Sequence, residues 1–377
     1  MKKIGLIVIV LCLTACGLVQ KSDTHKGIDL QKVSFSNLSG FDKDNLIETV
    51  PAFRLSCEAL QKNPNLDTNS KIKLQTDAYL KICKQLETTD FADNADFRNF
   101  LVQHFEPYLI TDNGQTEGKY TSYYEAEIKA SKTKHGKYQY PIYGRPNDLI
   151  EINLHDFDKN LPNKRLLGRI EGQKLTPYLT RQHIEEKGVD APVILWGDDK
   201  VDIFLMQIQG SAVATLDNGQ MVRISYADNN GHRFVGIGGL LLQKGLLKKG
   251  EFSMEKIRDW LKEPPDIAEV NMNENPRVIF HRISDASGPI GALGVPLTSG
   301  RSLAVDTDFV PLSSLLWLQT TDPDGKPLQK LVTAQDIGAA IKGAIRGDYF
   351  WGHGQQALQQ AGRMNAQGRY YILLPKE

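Results

Sequence analysis

Three aspartates in the last third of the chain stand at the ends of apolar, β-patterned runs. Asp306 follows Leu303-Ala304-Val305, Asp336 follows Val332-Thr333-Ala334-Gln335, and Asp348 lies inside Ile345-Arg346-Gly347-Asp348-Tyr349-Phe350-Trp351-Gly352. An acid held on an apolar strand beside aromatic rings loses hydration, which raises its pKa and keeps its proton on near neutral pH. That is the requirement for a general acid. One such aspartate alone reads as an ordinary strand-end residue, whereas three grouped with glycines and aromatics point to a site. Other chemistries have less support. The 8 histidines are scattered, and none pairs with a second ligand type at a spacing that closes a metal site. No metal and no cofactor is therefore expected, and His353 reads as a lone structural histidine. There is no Gly-x-Ser-x-Gly nucleophile signature. Gly236-Ile237-Gly238-Gly239 lacks the Lys and Ser/Thr of a phosphate loop and reads as close helix packing.

The elements that must position these carboxylates change character along the chain. From Leu46 to Ile110 apolar residues recur at helical spacing, among them Leu55, Leu60, Leu74, Ile82, Phe97, Leu101 and Phe105. From Tyr120 onward alternating apolar positions and turn signals predict mainly strands. Ile203 to Ser211 and Gln220 to Tyr226, on either side of Asp217-Asn218-Gly219, are expected to form a hairpin. Helices are expected between His232 and Leu247 and from Ser253, a capping residue, to Lys262, where Pro264-Pro265 stops the second. Strands follow at 278–283, 302–305, 315–319, 331–334 and 370–374, with one short helix over 354–364. The sequence has no internal repeat and no low-complexity tract.

The amino terminus reads as a lipoprotein signal peptide over residues 1–15. Met1-Lys2-Lys3 precedes an apolar run too short to span a bilayer, and Leu13-Thr14-Ala15-Cys16 resembles a bacterial lipobox that leaves Cys16 lipidated. Gly17, where an aspartate would signal retention, predicts delivery to the outer membrane, with the protein facing the periplasm. Residues 16–45 are polar and read as a tether. The 45 Lys plus Arg balance the 45 Asp plus Glu, so no net field recruits nucleic acid. Cys57 and Cys83 would sit in an oxidising compartment; spacing leaves open whether they form a disulfide or remain two buried thiols.

Arg301 to Pro375 resembles the 3D domain, named for its three aspartates, as it occurs in the membrane-bound lytic murein transglycosylase A family. Tyr120-Thr121-Ser122-Tyr123-Tyr124-Glu125, Pro141-Ile142-Tyr143-Gly144-Arg145-Pro146, Gly168-Arg169-Ile170-Glu171-Gly172 and Gln207-Ile208-Gln209-Gly210-Ser211 are similar to that family's other region. The resemblance implies a mainly β protein with peripheral helices. A double-psi β-barrel, discontinuous in sequence, would carry a second, inserted β-domain, with a groove between them. The expected parts are a helical region over 46–120, the insert over 121–224 and the barrel over 225–377. It further implies a carbon–oxygen lyase that cuts the peptidoglycan glycan strand between N-acetylmuramic acid and N-acetylglucosamine without water. Asp348 would be acid and then base, with Asp336 and Asp306 as polarising or orienting neighbours. Tyr123, Tyr124, Gln207, Gln209 and Ser211 would line the sugar groove, the two tyrosines reading equally well as core. Other wall-synthetic or wall-lytic enzymes are the protein partners to expect. The chain departs from the family pattern at Asp336-Ile337-Gly338-Ala339-Ala340-Ile341-Lys342-Gly343, where D-T-G-G-A-I-K-G is common, and at Pro311-Leu312-Ser313-Ser314, where P-L-G-T is. All three aspartates remain, which argues against the alternative, a non-catalytic peptidoglycan-binding scaffold.

Overall fold

The computed structural model describes residues 27–66, 69–248, 254–262 and 265–376. The expected signal peptide, Cys16 and the Ser253 cap lie outside the described residues. After β1 (Ile28–Lys32) come three helices, α1 (Val50–Lys62), α2 (Thr76–Thr88) and α3 (Asn94–His104). Pro51 sits in the first turn of α1, where a missing N–H costs nothing, and the Asp93 carboxylate caps α3 by accepting from Ala95 N and Asp96 N. Cys57 of α1 and Cys83 of α2 form a disulfide, with Cα atoms 5.4 Å apart.

The chain then enters β2 (Phe105–Asp112) and the long β3 (Gly118–Ser131), followed by β4 (Tyr140–Tyr143), β5 (Ile150–Asn153) and the single turn α4 (Leu154–Phe157). Next are β6 (Arg165–Glu171), β7 (Lys174–Pro177), α5 (Arg181–Lys187), β8 (Val193–Gly197), α6 (Lys200–Gln209), β9 (Ala212–Leu216) and β10 (Met221–Asn229). Three helices, α7 (Ile237–Gln243), α8 (Met254–Lys262) and α9 (Pro265–Asn273), lead to β11 (Ile279–Ser284). The chain ends with β12 (Ser302–Ala304), β13 (Leu315–Thr321), β14 (Pro327–Asp336), β15 (Arg346–His353), α10 (Gln355–Ala361) and β16 (Asn365–Pro375).

Strands β16, β13, β14, β12, β15 and β3 pair in that order, and β3 pairs back to β16, so the six close into the double-psi barrel. The run Leu315-Leu316-Trp317-Leu318 is apolar without alternation because both faces of β13 are covered. Leu315 and Trp317 pack with Phe53, Tyr79 and Phe97 of the helices, whereas Leu316 and Leu318 pack with Leu303, Val332 and Ile372 inside the barrel. Each such side chain contributes about 1.5–3 kcal/mol when fully buried.

The first half of β3 belongs to the barrel; its second half pairs with β9 and β8 to begin a second sheet that also holds β10, β11 and β4. A separate three-stranded sheet, β5-β6-β7, lies within the same insertion.

Four expectations are corrected. The insert continues past residue 224, because β10 runs on to Asn229 and pairs antiparallel with β11, ending at Ser284. Residues 203–208 are helical: the Asp199 carboxylate caps Val201 N and Asp202 N, and Gly210 at φ +89° closes α6. An apolar run of that length carries no decisive period, so caps arbitrate. The hairpin itself forms one element later, between β9 and β10. The helical region stops at His104, since β2 takes Phe105 into an antiparallel pair with β16. Finally, the tether does not extend to residue 45: β1 pairs with β2, and Leu38 and Phe41 are buried.

Candidate functional site

Two of the three aspartates meet across one short strand. β12 pairs antiparallel with β15, placing Ala304 opposite Asp348, and parallel with β14, placing Ala304 opposite Asp336. Residues paired directly across strands share a face, so Asp336, Ala304 and Asp348 form one row, which Thr121 of β3 continues opposite Asp348. The β12–β14 register skips Gln335. That bulge sends Gln335 toward α1, where its Nε2 donates to Ala52 O (2.9 Å) and Ser56 Oγ (3.0 Å), and it aims Asp336 at the row.

Each carboxylate has different partners. Asp336 accepts three hydrogen bonds: Tyr123 Oη to Oδ2 at 2.8 Å, and Ala292 N and Ile337 N to Oδ1 at 2.9 Å each. Burial pushes the Asp336 carboxyl up to about 6; these donors oppose the shift and the neighbouring Asp348 charge adds to it. Asp348 accepts from the Thr121 hydroxyl on Oδ1. Thr121 Oγ1 in turn accepts from Arg346 Nη2 at 2.7 Å, which orients the hydroxyl proton toward Asp348. Burial also raises the Asp348 pKa, against the pull of Thr121, Arg346 and Lys119. Among the described residues no hydrogen bond reaches Asp348 Oδ2, so that oxygen is open to an incoming group. Tyr123, half-buried beside Phe350 at 5.1 Å, has its phenol raised well above the usual value by burial and by Asp336.

Asp306 plays another part. It is buried and holds the turn after β14: Lys342 Nζ lies 3.1 Å from Oδ1 and Gly343 N donates to Oδ2 at 2.8 Å. Gly343 adopts φ +116°, a conformation open to glycine. Asp306 thus braces the Asp336–Gly343 segment from below.

The expected sugar-groove residues separate. Tyr123 reaches the row. Tyr124 is buried in the insert core with Ile128, Met206 and Ala214, so the core reading holds for it. Gln209 supports β3 through Oε1, which accepts from Tyr124 N at 3.2 Å. Ser211 is buried where α6 meets β9, its carbonyl accepting from Ala126 N. Gln207 points elsewhere, its Oε1 accepting from Arg181 Nη2 at 2.7 Å. Thr121 and Arg346 were missed as site residues. Thr121 lies inside a motif quoted from the sequence and Arg346 two residues before Asp348, but only the β3–β15 pairing joins them.

Residues 119–282 match the family model described as the MltA specific insert domain, and residues 301–374 match the 3D domain. The chain is 29% identical over 291 residues to the membrane-bound lytic murein transglycosylase A of Escherichia coli K12, covering 74% of this chain and 72% of that protein. Its structure is similar to that of a membrane-bound lytic murein transglycosylase from Agrobacterium tumefaciens, with TM-score 0.81 and 31% identity over 92% of this chain and 98% of the other. It is also similar to MltA from Neisseria gonorrhoeae in its monoclinic form, with TM-score 0.77 and 31% identity over 93% of both chains.

Proposed function

Because this chain belongs to the membrane-bound lytic murein transglycosylase A family, we propose that it cleaves the β-1,4 bond between N-acetylmuramic acid and N-acetylglucosamine in peptidoglycan, leaving a 1,6-anhydro end. The observation that carries the reading is the row Asp336–Ala304–Asp348–Thr121, with Asp348 desolvated and one oxygen open. Protonated Asp348 gives its proton to the glycosidic oxygen as the C1–O bond breaks. The sugar's own C6 hydroxyl then closes on C1, and its proton passes to the Asp348 carboxylate, which restores the acid. No water is consumed, and the intramolecular nucleophile supplies the effective concentration that a bound water or second carboxylate would otherwise provide. Asp336, held by three donors that suit an anion, faces the positive charge that develops at C1, and Ala304 between the acids leaves room for the sugar ring. Asp306 acts indirectly, by fixing the Asp336–Gly343 turn. Acylation of Cys16 would anchor the enzyme in the outer membrane facing the periplasm.

The test is mass spectrometry of purified peptidoglycan digested by the chain from Gly17 onward, beside Asp348→Asn. Anhydro-muropeptides from the parent and none from the variant support the reading. Reducing-end products would identify a hydrolase, and binding without product a scaffold.

A further inference from the structure

β14 carries an extra residue just before Asp336, and that residue, Gln335, is tied on every side. Had the β12–β14 register run on unbroken from the Leu303–Ala334 pair, Gln335 would stand opposite Ala304. Asp336 would then point to the other face of the strand, because a slip of one residue exchanges the faces. The bulge therefore decides whether Asp336 joins Asp348 at all. The Gln335 side chain holds the bulge in place. Gln335, Ser302 and Ser56 are each 0% exposed, and every polar atom of the amide has a partner. Nε2 donates to Ala52 O (2.9 Å) and Ser56 Oγ (3.0 Å) of α1, and Oε1 accepts from Ser302 Oγ (2.5 Å) of β12. The same residue seats the loop from β11 to β12 over the row. Its carbonyl accepts from Leu293 N at 3.0 Å, one residue after Ala292, whose N–H goes to Asp336 Oδ1. Two successive amides of the loop thus dock on two successive residues of the bulge. Near the end of the loop Thr298 N donates to Ser302 Oγ (2.8 Å), the hydroxyl that donates to Gln335 Oε1. The fit leaves no spare room: a Cβ on Gly291 would come within 2.5 Å of Gln335 O and of Leu297 Cδ2.

We propose that Gln335 is a positioning residue: clamped between α1 and β12, it turns Asp336 into the row and seats the Ala292 amide on it, without touching the glycan. The inference rests on the function proposed above, in which Asp336 faces the positive charge that develops at C1. That charge exists only on the way to the transition state, so loosening the clamp costs kcat and leaves KM in place. A misplacement of about 1 Å at a reacting centre costs about a hundredfold in rate.

The experiment measures anhydro-end formation against the concentration of soluble peptidoglycan strands, for the chain from Gly17 onward and three variants. Gln335→Met keeps the length of the side chain and drops the amide's hydrogen bonds. Gly291→Ala leaves the amide in place and crowds the loop off the bulge. Leu86→Ala hollows the buried helical cluster on α2, which lowers stability without touching the bulge. Gln335→Met and Gly291→Ala are expected to lower kcat at least about tenfold with KM within about twofold of the parent. Leu86→Ala is expected to lower the melting temperature and leave both constants unchanged. Parental kcat in either bulge variant, a loss confined to KM, or an equal loss of kcat in Leu86→Ala overturns the proposal. Should Gln335→Met fail to fold, Gly291→Ala decides alone. An active parent with unaffected bulge variants removes this inference only, whereas a parent that forms no anhydro ends removes the lyase and this inference with it.

Discussion

Asp336 and Asp348 stand opposite the same residue, Ala304, one strand to either side. Burial is the main cause that raises the Asp336 carboxyl, and the Asp348 charge on the shared face adds to it. Their hydrogen bonds divide the roles. Three donors fix Asp336, and Asp348 retains a free oxygen.

Asp348→Asn keeps an acceptor for the Thr121 hydroxyl and removes the only proton carrier assigned in the row. Cleavage of peptidoglycan should fall by about a thousandfold or more, with melting temperature unchanged or raised, because a desolvated acid is gone. Anhydro-product formation and thermal unfolding, measured on one preparation, check both halves. A variant that cuts at near-parental rate would move the acid role elsewhere.

Asp336 should reveal itself through pH. Its folded pKa, about 6, lies above that of an exposed carboxyl, so the folded state favours the protonated form. Stability from this group is fully present below the unfolded pKa, near 4, and is lost as pH rises through 6. Asp336→Asn removes that dependence. Its stability relative to the parent should rise between pH 4 and pH 8 by at most about 3 kcal/mol, the equivalent of a two-unit shift. Denaturant unfolding at both pH values measures it; a constant difference would show that Asp336 is not desolvated in solution.

The aspartates were legible in the sequence as types at the ends of apolar runs, and the strands that carry them were legible from the same runs. The adjacency was not. Ala304 joins Asp336 and Asp348 through a parallel and an antiparallel pairing, and Thr121 arrives from more than two hundred residues away, so no local pattern records the row. Asp306 shares the residue type but spends its carboxylate on Lys342 and Gly343, a difference visible only once the turn is folded. In α6 the signals were present, Asp199 before the run and Gly210 after it, but β-like residues within outweighed them.

Ser313 stands where the family pattern has glycine, and it adopts φ +75°. An L-residue there costs about 1–2 kcal/mol. Part of this is offset because Ser313 Oγ donates to Ser56 O at 3.1 Å, in a buried site where a lost hydrogen bond costs about 1 kcal/mol. Ser313→Gly trades one term for the other and should lie within about 1 kcal/mol of the parent. Ser313→Ala keeps the strain and loses the bond, so it should be less stable than the glycine variant by the strain alone, about 1–2 kcal/mol. Equilibrium unfolding of the pair tests this order, which is the reverse of that expected in a helix.

The segment expected to be a tether is tied to the barrel by a buried ion pair. Arg301, 1% exposed at the start of the 3D region, donates through Nη1 to Asp44 Oδ2 at 2.6 Å and through Nη2 to Asp44 Oδ1 at 3.0 Å, Asn45 O at 2.7 Å and Glu48 Oε2 at 2.8 Å. Burial alone would raise the Asp44 carboxyl, but Arg301, the Leu331 N–H and Lys330 outweigh it and hold it below the usual value. Replacing such a pair by well-packed apolar groups can be neutral, whereas removing one partner strands a buried charge. Asp44→Ala should therefore destabilise the protein by about 3–5 kcal/mol, with Glu48, more exposed, as partial compensation. Asp44→Asn, which keeps an acceptor, should cost less. A chain starting at Leu46 should lose at least as much as Asp44→Ala, since it also gives up β1 and the buried Leu38 and Phe41. Urea unfolding of the three variants decides the matter: if the truncated chain is as stable as the parent, residues 28–45 are a tether after all.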